Sequence, residues 1–160
     1  MADLEGLISR LIENEVEFVV IGGFAAMAHG ATLLTRDVDV CCRFSPRNLA
    51  RLQSALADLN PVHRMTPRRP PLTITAANCH LWKNLNLDTD FGQIDCLSEV
   101  AGVGGFEEAK RDSVQVELTQ GRCRILSLHA LIRAKEAAGR AKDRDVIIQL
   151  RAIRERLERD

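Results

Sequence analysis

Apolar positions along the chain switch between two spacings. Leu4, Leu7, Ile8 and Leu11 recur at helical intervals in an otherwise charged stretch, so residues 2–15 predict a helix with one buried stripe. Phe18-Val19-Val20-Ile21 is a continuous apolar run ending at Gly22-Gly23, which predicts a short strand buried on both faces and a tight turn. The Ala- and Met-rich stretch from Phe24 to His29 predicts a short helix closed by Gly30. In Asp37-Val38-Asp39-Val40-Cys41-Cys42 polar and apolar residues alternate, as in a half-buried strand. Ser45-Pro46 then supplies an N-cap and a first-turn proline to a helix striped by Leu49, Leu52, Leu56 and Leu59.

Residues 60–71 hold four of the five prolines together with Arg64, Arg68 and Arg69 and show no periodicity, which predicts a loop free to move. Two or three strands are expected over 72–97, the last two joined near Asp90-Phe91-Gly92 and ending in Ile94-Asp95-Cys96-Leu97. A short helix around 106–111, a hairpin of 113–118 and 122–126 turning at Gln120-Gly121, and a helix from Ser127 to Gly139 follow. Val146, Ile147, Leu150, Ile153 and Leu157 line one side of a last helix over 142–158. This order fits one domain, residues 1–160, of α/β (α+β) class, with a small mixed, partly antiparallel sheet flanked by helices.

A chain of 160 residues can bury a core without disulfides or a structural metal. Five cysteines without framework spacing point to free thiols and a cytoplasmic setting, and no apolar run approaches the ~20 residues that cross a bilayer. Cys41, Cys42, Cys79, His80, Cys96 and Cys123 lack the spacing of a zinc site. Net charge is zero, but residues 122–160 carry 11 basic against 6 acidic side chains. That excess suits either a polyanion-binding surface or a solvated terminal helix.

Asp37 and Asp39 lie two apart on a strand, so both side chains leave the same face. Two adjacent carboxylates repel, and a hard divalent cation between them relieves the repulsion; alone, the pair also suits a solvated strand end. Upstream, Gly22 and Gly23 allow a phosphate to approach the backbone where a helix begins, although an ordinary strand-to-helix turn uses glycine as well. Lys135 shares a stripe with Leu128, Leu131 and Ile132. Its ammonium either faces an acidic cleft, reaching a phosphate or a carboxylate, or snorkels to solvent. His29, His80 and Trp82 read as structural residues.

Taken together, Ile21-Gly22-Gly23, thirteen intervening residues and Asp37-Val38-Asp39-Val40 resemble the signature of the DNA polymerase beta nucleotidyltransferase superfamily. Asp95, in Ile94-Asp95-Cys96-Leu97, matches the third acid of that pattern. The segments 127–135 and 138–143 resemble the closing part of minimal nucleotidyltransferases related to abortive-infection (AbiEii-type) toxins. The resemblance implies a nucleotidyltransferase fold with Asp37, Asp39 and Asp95 as catalytic and metal-holding acids and Mg²⁺ or Mn²⁺ as cofactor. It further implies nucleotide contacts from Gly22, Gly23, Thr35 and Lys135. The expected reaction moves one NMP, AMP foremost, from a nucleoside triphosphate to a hydroxyl on a small molecule, protein or RNA end, without a DNA template or a membrane. A nucleotide-binding or protein-interaction module without turnover, and a toxin-system component acting on RNA or a partner protein, stand as alternatives. Two departures from the pattern are a missing arginine ahead of the acid pair, where Leu33-Leu34 stand before Thr35-Arg36, and glycine in place of a frequent serine at Gly23.

Overall fold

A computed structural model of the chain describes residues 2–160. Asp3 caps helix α1 (Leu4–Glu13) by accepting a hydrogen bond from Gly6 N at 2.9 Å, and Leu7, Ile8 and Leu11 are wholly buried. Strand β1 (Phe18–Ile21) is buried along its whole length and leads directly into helix α2 (Gly22–Ala28). That helix begins at the first glycine, two residues earlier than its Ala-rich run predicts. Strand β2 (Asp37–Cys42) keeps the expected alternation: Val38 and Val40 are fully buried, while Asp37 and Asp39 on the opposite face remain partly exposed. Ser45 caps helix α3 (Pro46–Leu56), its hydroxyl accepting from Asn48 N.

The stretch 60–71 is more ordered than its composition suggests. It contains a two-residue strand, β3 (Val62–His63), and folds back on itself through His63 N donating to Pro70 O at 2.9 Å. Arg69 pairs with Asp88, and Arg68 and Arg69 both adopt positive φ, so the turn is fixed by pairing at the expense of backbone comfort. Of the two or three strands expected over 72–97, two form: β4 (Asn84–Thr89) and β5 (Gly92–Leu97). A 3₁₀ turn at Cys79–Leu81 stands before them, because Thr75 and Asn78 hydrogen-bond each other locally instead of joining the sheet.

A small ribbon of β6 (Glu99–Val100) and β7 (Gly104–Gly105) precedes helix α4 (Phe106–Arg111). The hairpin β8 (Ser113–Leu118) and β9 (Gly121–Leu126), helix α5 (Leu128–Ala138) and helix α6 (Arg144–Arg159) complete the chain. Seven strands form one mixed sheet in the order β3-β4-β5-β2-β1-β9-β8. Strand β2 runs antiparallel to β1 and parallel to β5, and β1 runs parallel to β9. This is the mixed, partly antiparallel sheet flanked by helices that the element order implies. Among the described residues no helix is long and apolar enough to cross a membrane.

Candidate active site

Register brings the acids together. In the parallel pairing of β2 with β5, Asp39 lies opposite Asp95, and in the antiparallel pairing with β1 it lies opposite Ile21, the last residue before the glycines. Carboxylate oxygens of Asp37, Asp39 and Asp95 all come within 4.8 Å of one another. The Asp39 carboxyl is pushed up to about 7, chiefly by burial, then by the negative charges of Asp37 and Asp95 and a hydrogen bond with Asp95; Arg140 opposes the shift. A cluster of hard oxygen donors in which Asp39 resists ionisation fits a divalent cation of the Mg²⁺ or Mn²⁺ kind.

Both motif glycines answer to space. Gly22 has φ +70°, and a Cβ there would lie 2.4 Å from Asp39 Oδ2, so the acid could not keep its place beside any other residue. A Cβ on Gly23 would come within 3.1 Å of the Thr35 hydroxyl. Thr35 therefore stands against the position where a serine at 23 would carry its own hydroxyl, and its Oγ1 donates to Asp37 O at 3.1 Å. Arg36 lines the same cleft as Asp37 and Asp39.

Lys135 does not snorkel. It is 5% exposed, and its Nζ donates to Asp143 Oδ1 at 3.2 Å, while Arg140 Nε donates to Asp143 Oδ2 at 2.7 Å. Burial alone would raise the Asp143 pKa, but the hydrogen bond from Arg140 and the charge and hydrogen bond of Lys135 prevail and hold it below the usual value. Lys135 and Arg140 line the cleft together with Asp39 and Asp95.

Three contributors escape a reading of the sequence: Arg64, Arg140 and Asp143. Both oxygens of Asp95 accept from Arg64, Oδ1 from Nη1 and Oδ2 from Nη2 at 3.0 Å, a two-pronged ion pair that screens the acid. Arg64 sits in the segment without periodicity, so nothing in the spacing signals it. Asp143 does carry a signal, eight residues beyond Lys135 in the closing segment, but the pairing needs Gly139 in the left-handed region, φ +63°, to turn the chain back. Of the other candidates, His80 is exposed, and His29 and Trp82 make structural contacts. His29 Nε2 lies 2.7 Å from Leu126 O, and Trp82 stacks on His63 with ring centres 4.8 Å apart. Among the described residues the one group of three or more potential metal ligands is the Asp37–Asp39–Asp95 set, and all five cysteines are free.

Two cavities meet at these residues. A polar one of about 670 Å³ runs past Gly23, Thr35, Arg36, Asp37, Arg64 and Lys142. A more apolar one of about 280 Å³ is bounded by Ile21, Leu97, Val100, Leu131 and Ala134. Asp39, Asp95, Lys135 and Arg140 belong to both.

This architecture is the nucleotidyltransferase fold. A lincosamide antibiotic adenylyltransferase, LnuA, solved with lincomycin bound, superposes with a TM-score of 0.62 at 12% identity, over 95% of this chain and 98% of that one. ANT(2")-Ia in complex with adenylyl-2"-tobramycin gives 0.56 at 12% identity over 96% and 95%. A Thermotoga maritima protein described as a nucleotidyltransferase gives 0.57 at 14% identity over 98% and 91%. No protein-family model matches the sequence, and no curated protein matches it either.

Proposed function

We propose that the protein is a divalent-metal-dependent nucleotidyltransferase that moves one nucleoside monophosphate, AMP foremost, from a nucleoside triphosphate to a hydroxyl acceptor. The observation that carries this reading is the convergence of Asp37, Asp39 and Asp95 at the end of the Gly22-Gly23 turn. The similarity to an adenylyltransferase and to a structure holding an adenylylated product supports AMP as the transferred group.

Asp37, Asp39 and Asp95 would hold Mg²⁺ or Mn²⁺, which supplies neutralisation of the triphosphate and Lewis acidity at its phosphorus. Arg36, Arg140 and Lys142 line the polar cavity and suit the phosphate oxygens, with Lys135 at its wall; Thr35 offers a hydroxyl beside Gly23. The acceptor oxygen forms a bond to the α-phosphorus as the bond to the bridging oxygen breaks, and the electron pair leaves with pyrophosphate. Asp95 receives the acceptor proton, for which the grip of Arg64 must loosen. Most of the acceleration then comes from placement and charge. The closing segment supports a narrower kinship with abortive-infection enzymes, in which the acceptor would be RNA or a partner protein.

The test is melting and labelled-nucleotide transfer in the parent and Asp37→Asn. The expected result is a parent melting point raised by ATP with Mg²⁺ or Mn²⁺ and returned to baseline by EDTA. Asp37→Asn should be at least as stable in EDTA, because one repelling charge is gone, yet lose both the ligand shift and transfer. A variant destabilised in EDTA by about 1–3 kcal/mol and still active would give Asp37 a structural role and remove this reading.

A further inference from the structure

We propose that the apolar cavity is the acceptor subsite, and that it takes a small, uncharged molecule presenting a hydroxyl on an aliphatic body. The inference rests on the nucleotidyltransfer reading and names the substrate class of that same site. The two cavities divide the chemistry. Cations gather around the polar one, through Arg36, Arg64 and Lys142 besides the shared Lys135 and Arg140. The other has cations only where the two meet, at Lys135 and Arg140.

Beyond that junction its walls are Ile21, Leu97, Val100, Leu131 and Ala134, without an aromatic side chain to stack on a base. A phosphodiester threaded between those walls would be desolvated without a partner, which argues against an RNA end. An aliphatic body gains by the same burial. At about 280 Å³ the space lies just below the roughly 300–1,000 Å³ of pockets that hold drug-sized ligands, so it suits a small molecule.

Position supplies the remaining argument. The inner end of this cavity is formed by Asp39 and Asp95, the latter being the acid that would take the acceptor proton. Its outer rim carries Ala101, in the turn between β6 and β7, and Ala138, at the end of α5, and both are exposed. The polar cavity instead extends to the exposed Leu34 and Met65. The acceptor thus has its own doorway. Its hydroxyl would meet the α-phosphorus at the junction, forming the new O–P bond while pyrophosphate departs into the cation-lined side.

Ala138→Trp and Ala101→Trp test this at exposed positions, where folding is not at stake. Amide NMR of the metal-free protein titrated with cyclohexylmethanol should show shifts at 97–101 and 131–138, and these should vanish in Ala138→Trp. Labelled ATP with Mg²⁺, offered to small neutral alcohols and polyols, to RNA 3′ ends and to protein, should label small acceptors. Both variants should lower that transfer by at least about tenfold, as misplacement at a reacting centre does, while the melting shift with Mg-ATP stays at the parental value. Loss of the nucleotide shift in the variants would assign the cavity to the base and overturn the proposal. Labelling confined to RNA or protein at an unchanged rate would overturn it equally. A parent with no nucleotide shift removes the nucleotidyltransfer reading and the acceptor role with it, whereas failure of the alcohol to bind removes the subsite alone.

Discussion

Asp39 has the least favourable electrostatic position in the cleft, and its titration makes that position measurable. Its folded value of about 7 lies above an unfolded value near 4, so ionisation is penalised in the native state. Near pH 4 and below there is no penalty; it grows as pH rises and is complete above pH 7. In EDTA, Asp39→Asn should therefore match the parent near pH 4 and exceed it by roughly 2–4 kcal/mol at pH 8. Urea melts at the two pH values check this, and a constant difference would remove the charge argument. Arg64 acts in the opposite sense, since its guanidinium neutralises Asp95 with both oxygens engaged. Arg64→Gln should lower stability in EDTA by about 1–3 kcal/mol, because a largely buried partner is lost. The same variant should bind Mn²⁺ several-fold more tightly without nucleotide, as the ion no longer competes with a side chain. Electron paramagnetic resonance of free Mn²⁺ reads the affinity, and an unchanged value would show that Arg64 does not compete.

At the scale of elements, Asp143 joins α5 to the start of α6 through Lys135 and Arg140. Its pKa is held below the ordinary carboxylate value, so its contribution is full above that value and disappears as pH falls through the lower, folded one. Asp143→Asn should cost about 1–3 kcal/mol at pH 7 and approach parity with the parent as pH falls through the lowered, folded value. Parallel melts of both proteins at several pH values measure it; a gap independent of pH would mean packing, not charge, holds this junction. The same contrast explains what the sequence discloses. Period-two alternation in 37–42 and 92–97 sets Asp37, Asp39 and Asp95 on strand faces, and adjacency of those strands does the rest. Lys135 is legible as a member of a buried stripe, but its partner is not, because Gly139 must turn the chain before Asp143 can return to it. Arg64 is hidden for a different reason. Its placement depends on an edge pairing in which its own N–H donates to Asn86 O at 3.0 Å, within a segment whose prolines and arginines carry no period.

Across the whole molecule, the acids come from the middle of the sheet, the glycines from the β1–α2 junction, Lys135 from α5 and Arg64 from the edge turn. Such a site exists only when the central strands, α5 and the edge turn are assembled together, so a ligand bound there should oppose global unfolding and not the opening of one loop. At a hundredfold excess over Kd, a Mg-nucleotide adds about 2.7 kcal/mol to the folded state. With a urea m-value near 2 kcal/mol/M, the unfolding midpoint should rise by about 1 M. Because the ligand leaves the surface exposed on unfolding nearly unchanged, m itself should hold constant. Urea titrations followed by circular dichroism, with and without Mg-ATP, test both halves together. A midpoint shift accompanied by a marked fall in m would mean that part of the chain unfolds separately from the site, which the shared sheet does not allow. No shift at any ATP concentration would leave the acid cluster without its nucleotide.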